Sequence, residues 1–170
     1  MKKFSLTIII PTRNRSKLLN KTLRYLKKNS FFFNEIIIVD SSDKQEKEKI
    51  NKLKNFMNLK LKLINCSPGI SKQRNLGLKH VKKNSDYVMF LDDDLIFEKN
   101  SIKKMYVFLK SNKKYCGIGF NLIIKNTNNF IESLKKNKLI KNLGIYDNKE
   151  GKVTPSGWQT KAINLKKIYL

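Results

Sequence analysis

No stretch of this chain approaches the ~18 consecutive apolar residues that a helix needs to cross a bilayer, so no membrane-spanning segment is expected. Cysteine is nearly absent. Cys66 and Cys116 are far apart in apolar surroundings, and they read as reduced, small core residues of a cytosolic protein. The single histidine, His80, falls late in a helical stretch and is given no role. The N-terminus, Met1-Lys2-Lys3-Phe4, runs directly into a strand-like segment and lacks the small-residue cleavage site of a signal peptide. There is no internal repeat and no linker-like segment. Acids are scarce as well: 13 Asp and Glu stand against 37 Lys and Arg in 170 residues, a net charge of +24.

An excess of that size suits nucleic acid, anionic lipid or phosphorylated substrates. The lysines are spread along the whole chain beside abundant asparagine, as a compositional bias would spread them. Nucleic acid is not expected, because it would call for lysine clustered on one face. The attraction that stays open is to anionic membrane lipid, a peripheral contact at the inner face of the cell membrane by an otherwise cytoplasmic protein. Arginine is rarer than lysine. Only Arg13, Arg15, Arg24 and Arg74 occur, and three of them lie in polar segments described next. A retained arginine in a chain that defaults to lysine signals a need for its bidentate fork.

Strand and helix patterns alternate. Leu6–Ile10 is an apolar, β-branched run closed by Pro11, and Ser16 is placed to cap a helix running to about Asn29. Glu35–Val39 lacks alternation and reads as a strand buried on both faces. A charged helix from Lys44 to Met57, an alternating strand from Leu59 to Ile64 near a sheet edge, and a turn and helix from Gly69 to Val81 follow. Tyr87–Leu91 is the fourth strand, Ser101–Lys110 a helix and Gly117–Ile124 a fifth strand. Later signals are weak: a short helix around Phe130, Ile131 and Leu134, and a hairpin within Gly144–Val153. The expected fold class is α/β: a Rossmann-like, doubly wound, mostly parallel sheet in three α/β/α layers. Residues 1–124 form that domain, and 125–170 begin a further, incomplete region.

In such sheets ligands bind beyond the carboxyl ends of the strands. The unusual polar residues follow strands here: Thr12-Arg13-Asn14-Arg15, Asp40-Ser41-Ser42-Asp43, Ser67-Pro68-Gly69 and Asp92-Asp93-Asp94. Three adjacent carboxylates after a buried strand need a cation, and a divalent metal, Mg²⁺ or Mn²⁺, with oxygen ligands is the natural one. If the segment is extended, Asp92 and Asp94 share a face and Asp93 points elsewhere. Asp40 could accept N–H groups from a nucleobase, or be an ordinary polar strand end. Arg74, near a helix start, suits a phosphate, or is a surface arginine. Pro11-Thr12-Arg13 could frame a base or ribose. Trp158 reads as a partly buried tryptophan more readily than as a platform for a sugar ring.

Taken together, Ile8–Arg15, Ile38-Val39-Asp40-Ser41-Ser42, Gly69–Leu78 and Phe90–Asp94 resemble, in order and spacing, the signatures of family 2 glycosyltransferases. The resemblance covers residues 4–97 well, 98–124 loosely and the rest hardly at all. It implies the A-type glycosyltransferase fold and inverting transfer of a sugar from a nucleotide-diphosphate donor to a sugar, lipid-linked or protein acceptor. Cell-surface polysaccharide or glycolipid synthesis would be the setting. It implies Pro11, Thr12 and Arg13 at the nucleotide, Asp40 with Ser41 at the base, and Arg74 near the diphosphate. It implies Asp94, with Asp92, at the metal, and Asp92 and Asp93 in ribose and water-mediated contacts.

The family also places a catalytic carboxylate downstream, often in a Glu-Asp pair. No such pair follows residue 98; Glu132, Asp147 and Glu150 are the only later acids. The general base is therefore expected to be missing, as in a truncated chain, and Ser156-Gly157-Trp158 to open the acceptor region. Rival readings are a non-catalytic nucleotide-sugar-binding module, a nucleotidyltransferase and a phospho-receiver domain. A nucleotidyltransferase would want glycine after the first strand, and a receiver would want acids where Arg13 and Arg15 stand.

Overall fold

Runs of isoleucine and valine with no polar break can be satisfied only at the centre of a sheet covered on both sides. The computed structural model describes residues 4–56, 58–95, 97, 99–112, 117–119 and 161–164, and places two such runs there. In chain order the elements are β1 (Leu6–Thr12), α1 (Ser16–Lys28), a 3₁₀ turn (Ser30–Phe32), β2 (Glu35–Asp40), α2 (Lys44–Phe56), β3 (Leu61–Asn65), α3 (Ile70–Lys79), β4 (Tyr87–Phe90), α4 (Ser101–Ser111), β5 (Gly117–Gly119) and β6 (Lys161–Asn164). The sheet order is β3-β2-β1-β4-β6-β5. The first four strands are parallel, and β6 is antiparallel to both of its neighbours. β1 and β2 are buried along their whole length, whereas β3, at the edge, is only partly covered.

Alternate residues of the strands feed two cores. Leu6, Ile8, Ile10, Ile36, Ile38 and Met89 meet Leu19, Leu23 and Leu26 of α1, Ile50 of α2, and Ile102, Met105 and Leu109 of α4. Ile9, Ile37, Val39 and Val88 meet Leu76 of α3 on the other face. Helices therefore cover both faces, as a doubly wound, three-layer sheet requires. β6 was not legible as a strand. The expected Gly117–Ile124 strand is described only to Gly119, and the expected helix within 125–142, the 144–153 hairpin and Trp158 lie outside the described residues.

Pro11 does not close β1; the strand continues to Thr12, paired with Asp40 of β2. What Pro11 closes is the other side. The Ile9 carbonyl accepts the Leu91 N–H at 2.9 Å. The next rung would need an amide hydrogen on residue 11, and proline has none. Pairing with β4 stops, and the chain after Leu91 leaves the sheet in a turn at Asp93-Asp94.

Ser16 does not cap α1 either. The residue at the cap is Arg15, with no side-chain cap bond, and the free Ser16 N–H donates to Glu46 Oε2 of α2 at 3.1 Å. A carboxylate facing a helix N-terminus is favourable. Lys49, 2.6 Å from Glu46 Oε1, and then Ser16 pull the Glu46 carboxyl down to about 2. A depressed folded pKa stabilises above the ordinary carboxylate value, and that contribution disappears as pH falls through the folded one. Glu46→Gln is therefore expected to lower the melting temperature at pH 7. The difference from wild type should shrink between pH 4.5 and about 2, which thermal melts across that range measure.

Candidate functional site

The carboxyl ends of β1 and β4 and the first turns of α3 enclose a cleft of about 660 Å³. Its walls are Pro11, Thr12, Arg13 and Arg15 after β1, Ile70, Gln73 and Arg74 of α3, and Asp92, Asp93 and Asp94 after β4. α3 can start here because Gly69, its N-cap, has φ +142°, a left-handed conformation that a side chain would strain.

The expectation that Asp93 points away from its neighbours is corrected. The segment turns at Asp93-Asp94 rather than extending, so alternation does not apply, and all three aspartates line the cleft. Asp92 Oδ1 accepts from Arg74 Nη2 at 3.0 Å, and Asp94 Oδ2 from Arg15 Nη1 at 2.9 Å. Asp93 is the structural member of the three, 4% exposed. Its Oδ2 accepts the Thr12 hydroxyl at 2.6 Å, its Oδ1 lies 3.4 Å from Arg15 Nη1, and its carbonyl accepts the Thr22 hydroxyl of α1 at 2.9 Å.

Burial pushes the carboxyls of Asp92 and Asp93 above the ordinary range. Arg74 opposes this at Asp92, the Thr12 bond and Arg15 oppose it at Asp93, and the neighbouring aspartates add to it. A raised folded pKa favours folding at low pH, and the benefit is lost as pH rises through the raised value. At neutral pH ionisation of Asp92 and Asp93 thus costs folding free energy, and a cation placed beside them offsets that cost.

Asp40 and Ser41 are buried at the end of β2, off the cleft lining. Asp40 Oδ1 accepts the backbone N–H and the hydroxyl of Ser42, at 2.9 and 2.5 Å. Its Oδ2 is buried with no partner among the described residues. A buried acceptor in that condition is a candidate for a donor that a ligand brings.

Two residues that the sequence did not single out belong to the site. Arg15, rather than Arg13, carries the contacts to Asp93 and Asp94; the sequence placed it in the polar cluster after β1 but gave the role there to Arg13. Gln73 is 4% exposed, and its Nε2 donates to the carbonyls of Thr12 and Val39 at 2.9 and 2.8 Å. It ties α3 to the last residues of β1 and β2. A glutamine inside a helical pattern gives no sign of that.

Among the described residues no three Asp, Glu, His or Cys side chains converge as a closed metal cage. An open site needs fewer. Asp94 and Asp92 are 44% and 22% exposed at the side chain, and each engages an arginine through one carboxylate oxygen. One or two such oxygens, completed by water and phosphate oxygens, suit Mg²⁺ or Mn²⁺. The donor set fits a hard divalent cation.

The chain is similar to known proteins in both sequence and fold. Poly(ribitol-phosphate) beta-N-acetylglucosaminyltransferase TarS of Staphylococcus aureus (strain Mu50 / ATCC 700699) is 32% identical over 113 residues, 64% of this chain and 19% of TarS. Minor teichoic acid biosynthesis protein GgaA of Bacillus subtilis (strain 168) is 32% identical over 108 residues, 60% of this chain and 24% of GgaA. The chain thus spans only about a fifth to a quarter of the length of these relatives. The crystal structure of S. aureus TarS 1-349 superposes with a TM-score of 0.61 at 25% identity, over 74% of this chain and 37% of that one. The same TarS fragment has been solved in complex with UDP-GlcNAc, with a TM-score of 0.59 at 24% identity over 74% of this chain and 36% of that one. The sheet is that of the A-type glycosyltransferases. The family described as Glycosyl transferase family 2 matches residues 7–169, and with a match over nearly its whole length the chain belongs to that family.

Proposed function

We propose that this chain is the donor-binding part of an inverting, metal-dependent glycosyltransferase. It takes a nucleoside-diphosphate sugar and serves transfer to an acceptor hydroxyl in cell-surface polysaccharide synthesis. The observation that carries this is the cleft itself: three aspartates and three arginines on one rim, beside the buried, half-satisfied carboxylate of Asp40. Family membership and the TarS complex with UDP-GlcNAc support a nucleotide-sugar donor.

In this reading Pro11, Thr12 and Arg13 flank the nucleoside, and Asp40, positioned by Ser42 and next to Ser41, accepts from the base. Arg74 is available to the diphosphate. Asp94, with Asp92, would hold the divalent cation, which when bound neutralises charge on the leaving diphosphate. Asp93 keeps the turn in place through Thr12 and Thr22, and it faces ribose and water only at its rim. Attack by the acceptor wants a carboxylate base. The later acids Glu132, Asp147 and Glu150 are outside the described residues, and no Glu-Asp pair follows residue 98.

The test is a calorimetric titration of the full chain with UDP and UDP-GlcNAc in Mn²⁺, followed by hydrolysis and transfer assays. The expected result is Mn²⁺-dependent binding with weak or no turnover. Absence of binding at millimolar nucleotide removes the donor reading. Robust turnover refutes the missing base and with it the rival of a pure binding module.

A further inference from the structure

α1 and α4 lie side by side in one helical layer. The Tyr25 hydroxyl is 2.9 Å from Ser101 Oγ, and the Tyr25 ring stacks on Phe97 at 4.1 Å. Neither helix contains an acidic residue. On α1, Lys17, Lys21, Arg24 and Lys28 are exposed, and steps of four, three and four residues put them within an arc of about 60°. That stripe is opposite the buried Leu19, Leu23 and Leu26. None of the four forms an ion pair among the described residues.

On α4, Lys103 and Lys104 are exposed beside Val107 and Phe108, which are 51% and 41% exposed. Phe31, 68% exposed, stands on the 3₁₀ turn, whose Phe32 ring lies 5.4 Å from that of Tyr106 in α4. Cations alone would suit any polyanion. Half-exposed aromatic and aliphatic side chains among them suit the headgroup region of a bilayer, which takes both.

We propose that the α1–α4 face docks this protein on an anionic lipid surface. α1 begins at the cleft rim, where its N-cap Arg15 pairs with Asp94, so a surface lying along α1 holds the cleft at its edge. The inference does not depend on what the cleft binds.

The test is co-sedimentation of the full chain with vesicles of phosphatidylcholine, with and without phosphatidylglycerol. Partitioning is expected only with phosphatidylglycerol, and it should weaken as salt rises. Changing Lys21, Arg24 and Lys28 together to Gln is expected to cost about 100-fold, at roughly fivefold for each charge. Val107→Ser with Phe108→Ser should also weaken vesicle binding. Both sets should leave UDP binding unchanged, and the charge variant should leave the melting curve unchanged as well. No partitioning on anionic vesicles overturns the proposal, as does partitioning that neither set changes. So does a charge variant that loses vesicles and heparin alike while the Val107 and Phe108 pair has no effect, since that describes a surface for a soluble polyanion.

Discussion

Asp94→Ala is expected to lower UDP affinity in the presence of Mn²⁺ by about 100-fold and to leave the fold in place. The two halves of that expectation rest on different magnitudes. The Asp94 side chain is 44% exposed, and its described partner, Arg15, is itself 52% exposed. An ion pair so open to water contributes ~0–1 kcal/mol, so the melting temperature should scarcely move. In the proposed function, in contrast, Asp94 would be a ligand of the divalent cation, and its loss would remove one that water replaces poorly. Asp93→Ala makes the control in the opposite direction. That residue is buried, and its carboxylate holds Thr12 and Arg15. Its loss should lower stability first and affinity as a consequence. Calorimetry with and without Mn²⁺, paired with thermal melts, separates the two. If Asp94→Ala binds UDP as wild type does, the aspartates are not a cation seat and the proposed function loses its support.

The four parallel strands were legible because each is a short apolar or β-branched run that ends in a polar cluster, and the topology gathers those clusters on one rim. What was illegible depends on residues distant in sequence. Glu46 caps α1 from α2, thirty residues away, so the local pattern at Ser16 suggested a cap that is not used. Gln73 reaches two carbonyls on two strands, which no helical periodicity encodes. Asp93 was misjudged because alternation was carried past the end of β4, where Pro11 has already ended the pairing. β6, Lys161-Ala162-Ile163-Asn164, is too short and polar to declare itself; its strand character comes from pairing between β4 and β5.

Gly77→Ala is expected to destabilise the protein by about 1–3 kcal/mol, even though alanine is ~1 kcal/mol the better helix former. The sign follows from what a methyl group would meet. An ideal Cβ at residue 77 would stand 2.5 Å from Ile9 Cγ2 and 3.3 Å from both Ile9 Cδ1 and Val39 Cγ2. Ile9 and Val39 are fully buried in β1 and β2, and a Cγ2 sits too near its own backbone to swing clear. α3 must lift instead. Gln73, one turn earlier, would then lose its bonds to Thr12 and Val39, and Arg74 would move from Asp92. UDP affinity should therefore fall together with stability, although residue 77 does not line the cleft. Ile9→Ala tests the cause. Alone it should cost ~2–5 kcal/mol as a cavity. Combined with Gly77→Ala it should cost less than the sum of the two, because the atoms in the way are gone, with a coupling of about 1 kcal/mol or more by urea denaturation. Simple additivity would mean that close approach of α3 to β1 is not the reason for glycine at this position.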